Sequence, residues 1–494
     1  MASATARTRR PKVSAMTRVA VNRTERKLPF EIWSLICALL TQNDLTHIAR
    51  VSSTLLRVCR PILYRSVILR NNSPNLQLQL RVVGEHAAGI RQLTIFTTWV
   101  PRNPHAPSVT WLDFNILSRF ASLRALTFIG SPFATHEEQT KFTTILKHAS
   151  RLLKSFTYVP HGHTTFPSPF FELSGLESVS WHTYLADSAS APEHQLLSLL
   201  SASAHTLCHL SFHNCPGYPA IRNQNQGAHD TWDVFMSLHF PRLVSLSLGL
   251  MYPSSIPRRH KDTRTSLTRF LLAHPTLRHL ALANSSHSED HYEGISGNGK
   301  LIKSTFLLAL RSFETHPANL TIMIKQKVRS LQELTNLSIL FHCGPSNGAF
   351  EALLVALQGS AGFSSVSHLK LQFSSDRPQD SHIITPLIIQ WVQRLSAHCP
   401  AVLAFSGDLG PILSPWYLAQ ALHPYKLLET IDLPRTILMS PGGPVSANDF
   451  VPIANACSTL SKVVIKTTQN STAKYVLSRN DQGILCAITV TPMG

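Results

Sequence analysis

The stretch Leu207-Cys208-His209-Leu210-Ser211-Phe212-His213-Asn214-Cys215 decides the fold. Leu207, Leu210 and Phe212 are apolar at positions i, i+3 and i+5. Positions i+3 and i+5 point the same way on a short strand, because side chains alternate there with a period of two. One copy says little, but the pattern recurs along most of the chain. It stands at Ile90-Leu93-Ile95, Leu123-Leu126-Phe128, Leu153-Phe156-Tyr158, Leu176-Val179-Trp181, Leu243-Leu246-Leu248 and Leu277-Leu280-Leu282. It continues at Leu310-Phe313, Leu334-Leu337-Ile339, Val366-Leu369-Leu371, a poor copy near Val402-Phe405, then Leu428-Ile431-Leu433 and Leu460-Val463-Ile465. Successive starts lie 23 to 36 residues apart. Self-similarity at that period marks a solenoid, whose units stack and bury one continuous core.

Between these strands lie apolar residues at helical spacing, over 136–153, 193–207, 265–277, 349–357 and 385–398. The expected unit is therefore a strand followed by a helix. The template resembles the strand of a leucine-rich repeat, and His213-Asn214-Cys215 supplies the Asn-Cys corner of that motif. The resemblance implies a divergent, curved leucine-rich-repeat-like solenoid over residues 71–466. At its end, 475–478 and 484–490 read as strands flanking the turn-rich Arg479-Asn480-Asp481-Gln482-Gly483. A hairpin over 467–494 would pair with the last repeat strand and cap its open edge.

The segment 27–70 has a different logic. Pro29 suits a helix start, and Ile32, Leu35, Ile36, Leu39 and Leu40 follow at i, i+3, i+4, i+7 and i+8. Thr41-Gln42-Asn43-Asp44 breaks that helix and caps a second carrying Leu45, Ile48 and Ala49. Ser52 or Ser53 opens a third, with Leu55, Leu56 and Cys59 inward and Pro61 as its stop. Three short helices bury little on their own, so a surplus apolar face is expected to seek a partner.

Leu28-Pro29-x-Glu31-Ile32-x3-Ile36-x2-Leu39, then Asp44-Leu45, Val51-Ser52 and Pro61-x-Leu63-Tyr64-Arg65, resembles an F-box. The closing Pro-x-Leu-Tyr-Arg is the form common in fungal F-box proteins. Leu55 departs from it where Trp or Phe is usual, and Leu56 where Arg is usual. The resemblance implies docking on the Skp adaptor of a cullin-RING ubiquitin ligase, through Leu28, Pro29, Ile32, Ile36, Leu39 and Leu45. The fold class that follows is α/β, a small three-helix F-box followed by the repeat solenoid.

Composition narrows the function classes. Of 494 residues, 44% are hydrophobic and only 15% are charged. That excludes wholesale disorder. No apolar run reaches the about 20 residues of a membrane span, and the N-terminus lacks the apolar core of a secretory signal. Eight scattered cysteines, without a C-x-x-C, suit reduced thiols and a cytoplasmic or nuclear location. Of the net charge of +18, residues 1–27 carry +7, leaving +11 for the rest. Residues 1–26 are expected to form a disordered basic tail. Three readings of it stay open: a solvated terminus, a nuclear or nucleic-acid patch at Arg7–Lys12, and a mitochondrial presequence.

Apparent sites dissolve on inspection. Gly294–Lys300 fits G-x4-G-K, but Leu301 stands where a magnesium-binding hydroxyl belongs, and Ser285–Glu293 is polar where a strand should precede. His161-Gly162-His163 has no third ligand nearby. His274, His316, His398 and His423 sit beside Pro or Cys-Pro, where they can meet the last carbonyls of helices. Trp99, Trp111, Trp181, Tyr184, Trp232, Trp391 and Trp416 are read mainly as core. No catalytic residue, metal or cofactor is expected.

The function expected is a non-catalytic substrate receptor, tethered by the F-box to the Skp adaptor and through it to cullin. Its solenoid would hold an unknown protein substrate. A non-ligase F-box scaffold and a basic nucleic-acid-associated repeat protein are the alternatives. Nucleic acid and membrane are not the expected partners.

Overall fold

The computed structural model describes residues 28–96, 119–130, 152–159, 173–183, 192–214, 234–250, 261–284, 295, 301–342, 348–374, 381–409, 414–434, 450–466, 472–480 and 484–493. The expected tail at 1–26, the helix at 136–151 and the His161/His163 pair lie outside them. The chain divides into two compact units, Met1–Arg65 and Ser66–Gly494.

The first unit holds α1 (Phe30–Ala38), α2 (Gln42–Ala49) and α3 (Ser53–Leu63). Local chemistry sets each boundary. Pro29 immediately precedes α1, and its carbonyl accepts the Trp33 N–H at 3.2 Å. Thr41 caps α2: its hydroxyl accepts the Asp44 N–H at 3.3 Å and donates to the Asp44 carboxylate at 2.7 Å. Ser52 caps α3 by accepting the Leu55 N–H at 3.1 Å. Pro61, expected to stop α3, instead lies inside it. Its missing N–H falls in the last turn, where only one helical bond is lost. The fully buried core is four residues, Cys37, Leu45, Val58 and Cys59, edged by Trp33, Leu40, Ile48, Ala49, Ile62 and Leu63.

The second unit is built on one sixteen-stranded sheet whose strand order follows the sequence. It begins with β1 (Ser66–Arg70), β2 (Gln92–Phe96), β3 (Ala125–Ile129), β4 (Ser155–Val159) and β5 (Ser178–Thr183). There follow β6 (His209–Asn214), β7 (Ser245–Leu250), β8 (His279–Asn284), β9 (Ser312–Thr315) and β10 (Asn336–His342). The rest are β11 (His368–Ser374), β12 (Ala404–Ser406), β13 (Thr430–Pro434), β14 (Lys462–Lys466), β15 (Thr472–Arg479) and β16 (Leu485–Met493). The first fourteen run parallel, so this is a repeat solenoid of α/β class.

Register turns the sequence pattern into a core. The i+3 residues stand opposite one another from rung to rung, through Leu93, Leu126, Phe156, Val179, Leu210, Leu246 and Leu280. The column continues through Phe313, Leu337, Leu369, Phe405, Ile431 and Val463, all buried. Each such side chain contributes about 1.5–3 kcal/mol on burial. Just before each strand, one carbonyl takes two N–H groups of the next rung. Arg91 O, for example, accepts from Arg124 N at 2.7 Å and Ala125 N at 2.9 Å. The same pair recurs at every step to Glu429 O, which accepts from Ser461 and Lys462. Threonines add a side-chain tie: Thr206, Thr276 and Thr459 each donate at 2.8 Å to the i-position carbonyl of the preceding rung, that of Leu176, Leu243 or Leu428.

Three departures from the expected pattern have physical causes. The sheet begins at Ser66, inside the segment read as 27–70, and Val67 and Leu69 pair with Leu93 and Ile95. In β9 the i+5 position is Thr315, fully buried, whose hydroxyl accepts from Asn319 Nδ2 at 2.8 Å. The poor copy at Val402-Phe405 gives the three-residue β12 because its i+5 position is Gly407. There φ is +128°, and an added Cβ would lie 1.9 Å from Leu371 O. Only glycine fits such a site.

Helices cover the buried face where the spacing placed them: α5 (Pro192–Ala202), α6 (Lys261–Leu272), α8 (Gly348–Gln358) and α9 (Ser381–Ser396). Four more were not anticipated, α4 (Leu76–His86), α7 (Pro317–Lys325), α10 (Pro415–Leu422) and α11 (Val451–Ala456). The last three carry proline in the first turn, where it starts a helix rather than breaking one. His316 Nδ1 and Ser414 Oγ cap α7 and α10.

At the far end β15 runs antiparallel to β14 and β16 antiparallel to β15. Tyr475 and Leu477 extend the core, with the Tyr475 ring 4.5 Å from that of Phe450. Arg479, at the end of β15, donates to the carbonyls of Ala454 and Cys457 (3.0 Å) at the end of α11. A guanidinium there satisfies carbonyls that the helix leaves unpaired.

Candidate docking faces

On the first unit, the stripe expected from helical spacing is present but faces solvent. Ile32, Leu35, Ile36 and Leu39 are all exposed, Leu39 at 88% and Leu35 at 65%. The side of α1 that meets the other helices is Trp33, Cys37 and Leu40. Leu28, Pro29 and Phe30 extend the exposed apolar surface at the start of α1. Burying an apolar group is favourable, so a helix that turns this many outward is built to be covered.

Of the six residues singled out from the sequence, Leu28, Pro29, Ile32, Ile36 and Leu39 are exposed on or beside α1. Leu45 is not on that face. It is 4% exposed and packs with Cys37, Val58 and Cys59. Its place at the fourth residue of α2, in a unit with so few buried positions, assigns it to the core. Leu56 likewise turns outward, while Val58 takes the inward place beside Cys59. Phe30 and Leu35 are exposed members of the face beyond those six. Leu35 carried a signal, since it completes the i, i+3, i+4, i+7 stripe.

Beneath the face, Cys37 Sγ and Cys59 Sγ lie 3.6 Å apart. Burial, then the hydrogen bond and charge of Cys37, push the Cys59 thiol up to about 11. The Cys59 thiol therefore stays protonated, and both buried side chains pack as small apolar groups.

On the second unit, the side of the sheet opposite the core carries positions i+2 and i+4 in straight rows. Thr94, Thr127, Thr157, Ser180, Ser211 and Ser247 stand opposite one another across six strands. Further along, the same row reads Glu314, Ser338, Lys370, Ser406 and Asp432. Lys370 Nζ reaches over β10 to Glu314 at 3.2 Å. Ser338, between them, is only 8% exposed, and its hydroxyl has no hydrogen-bond partner. At position i+1, Arg91, Arg124 and Lys154 are exposed on consecutive rungs, and Lys154 pairs with Glu177 at 2.9 Å.

The remaining candidates resolve into structure. Ile295, within the glycine-rich Gly294–Lys300 segment, is 1% exposed, and its N–H is held by Asn319 Oδ1 at 2.8 Å. His274 is 1% exposed and ties two repeats together: Nε2 accepts the Phe240 N–H at 2.9 Å and Nδ1 donates to Phe270 O at 2.6 Å. His316 caps the start of α7, at the opposite end of a helix from the one expected. Trp181 and Trp391 are core, whereas Trp416 is 67% exposed. Trp99, Trp111, Tyr184 and Trp232 lie outside the described residues. Among the described residues no group of three His, Cys, Asp or Glu side chains could hold a metal ion, and no helix is long and apolar enough to cross a membrane.

The sequence matches no protein-family model and no curated protein. Solved structures show looser likenesses. A protein from Bacteroides fragilis is 12% identical, with 59% of this chain and 66% of that one covered and a TM-score of 0.29. A chain of the yeast Rad7–Elc1 complex is 11% identical, with 92% of each chain covered and a TM-score of 0.35. A leucine-rich-repeat protein from Leptospira interrogans is 12% identical, with 78% and 98% covered and a TM-score of 0.28. All three TM-scores are below 0.5, so the fold rests on the strand register above.

Proposed function

We propose that this chain is the substrate-receptor subunit of a Skp–cullin–F-box ubiquitin ligase. The three-helix unit is its F-box, and the leucine-rich-repeat-like solenoid presents a protein substrate. The observation that carries the reading is the outward apolar stripe of α1, Ile32, Leu35, Ile36 and Leu39, on a unit whose sequence resembles an F-box. Such a face suits the apolar groove of an adaptor. The receptor supplies no bond-making group of its own. It raises the effective concentration of substrate lysines near the charged conjugating enzyme, and orients them.

The test is co-purification of the full chain with the Skp adaptor, beside Ile32→Asp/Leu39→Asp. Both residues are exposed, so the exchange leaves the fold intact. Losing two buried apolar anchors of about 1.5–3 kcal/mol each weakens binding at least about 100-fold. Adaptor capture by the wild type and none by the variant supports the reading. Equal capture by both, or by neither, overturns it.

A further inference from the structure

The solenoid carries its exposed charge unevenly from rung to rung of the sheet. Around β9–β14 the charges are mixed, as in the Lys370–Glu314 pair and in Glu333 beside Arg311 at 2.7 Å. Among the described residues at the start of β2–β4 they have one sign. Arg124 N donates to Arg91 O, Lys154 N to Arg124 O and Glu177 N to Lys154 O, at 2.7, 2.8 and 2.7 Å. The four residues therefore occupy one position on four consecutive rungs. Among the described residues neither Arg91 nor Arg124 forms an ion pair, and Glu177 closes the row by pairing with Lys154. Three positions further along the same rungs stand Thr94, Thr127 and Thr157, a row of short hydroxyls.

We infer that Arg91, Arg124 and Lys154 form a docking row for an extended carboxylate-rich segment of a partner protein. Charge selects the occupant. Residues 1–27 carry +7 and a second copy of the chain carries +18, so both are repelled. Spacing fits a peptide. Strands about 4.8 Å apart put Arg91 and Lys154 about 10 Å apart, the span of three residues in an extended chain at about 3.3 Å each. Acidic residues at i and i+3 would meet the two ends of the row, the second replacing Glu177 in its exposed pair with Lys154. The hydroxyls alongside can exchange hydrogen bonds with the peptide backbone. Nucleic acid is the less suited polyanion, because positions i+2 and i+4 of β2–β5, beside the row, hold no aromatic ring on which bases could stack. The inference rests on the receptor reading for the identity of the bound segment as substrate, and gives that substrate its chemistry.

The experiment uses the full chain and a fluorescein-labelled twelve-residue Glu/Ser peptide, followed by anisotropy. Wild type is compared with Arg91→Glu/Arg124→Glu and with Arg242→Glu/Lys325→Glu, which makes the same charge change at exposed positions elsewhere. A single-stranded oligonucleotide of equal charge is the second probe. The expected result is peptide binding that weakens at least tenfold in the Arg91/Arg124 variant, changes less than threefold in the control, and falls with salt. Equal loss in both variants, or no binding to the wild type, overturns the inference. So does oligonucleotide binding that exceeds peptide binding and depends on Arg91 and Arg124. Adaptor capture is measured on the same samples. If capture is absent while peptide binding behaves as expected, the ligase reading falls and the docking row stands. The converse result leaves the ligase reading and removes the row.

Discussion

His274 should act as a pH-sensitive tie between two repeats. The Phe240 N–H is a donor, so Nε2 must accept and the ring proton must sit on Nδ1, facing Phe270 O. The ring is neutral in that arrangement. Burial is the main cause that lowers its pKa below the ordinary 6.5. The Phe270 carbonyl opposes the shift, and nearby His239 adds to it. The unfolded chain therefore takes up this proton first. Stability is complete above about 6.5 and is lost as pH falls through the lower folded value. His274→Phe keeps an aromatic ring against Phe270, now 4.2 Å away, but leaves the Phe240 N–H buried and unpaired. That costs about 1–3 kcal/mol, or about 5- to 140-fold faster exchange of the amide at a site that opens locally. Hydrogen exchange over 234–243, read by mass spectrometry, is the assay. The two proteins are compared with each other at pH 8 and again at pH 5. At pH 8 the variant should exchange faster by that factor. At pH 5 the gap should narrow, because only the wild type then carries a proton its fold resists. Equal exchange at pH 8, or a ratio that does not move with pH, would refute the reasoning.

Two further outcomes follow from the packing. Gly407→Ala should destabilise the repeats around β12 by about 2–4 kcal/mol, since its Cβ would lie 1.9 Å from a backbone oxygen at a positive φ, and exchange over 404–409 and 369–373 should rise together. Unchanged exchange there would show that the chain shifts freely. Iodoacetamide at pH 8 should label exposed Cys486 in the native protein, while Cys37, Cys59, Cys399 and Cys457 react only after unfolding. Burial pushes the Cys457 thiol up to about 11 and raises that of Cys399 further. Native labelling at Cys59 or Cys399, seen by peptide mapping, would mean that the core opens.

The repeat was legible because a parallel ladder demands one thing of every rung, an apolar side chain at the same strand position. Leu210, Leu246 and Leu280 are bound to stack once their strands pair, so spacing alone finds them. The rule fails where a position is filled by other means. Thr315 is buried because Asn319 accepts and donates around it, and Gly407 stands where the backbone leaves no room for a side chain. The helices opened by Pro317 and Pro415 were hidden because a proline can end a helix or begin one. His316 and Ser414 decide that choice by capping.

By itself the sequence determined the spacing of the repeat strands from β2 to β14, the break and cap at Thr41–Asp44, and an apolar stripe on α1 larger than three helices can use. Periodicity could not tell which side of α1 is covered. Ile32–Leu39 and Trp33–Cys37–Leu40 are both apolar stripes, and only the packing of α2 and α3 turns the first outward and draws Leu45 inward. The cationic row is likewise silent in the chain. Arg91, Arg124 and Lys154 are about thirty residues apart in sequence, and become neighbours only when β2, β3 and β4 pair in register. Local propensity acts over a few residues, whereas a shared surface is created by hydrogen bonds between strands that the sequence keeps far apart.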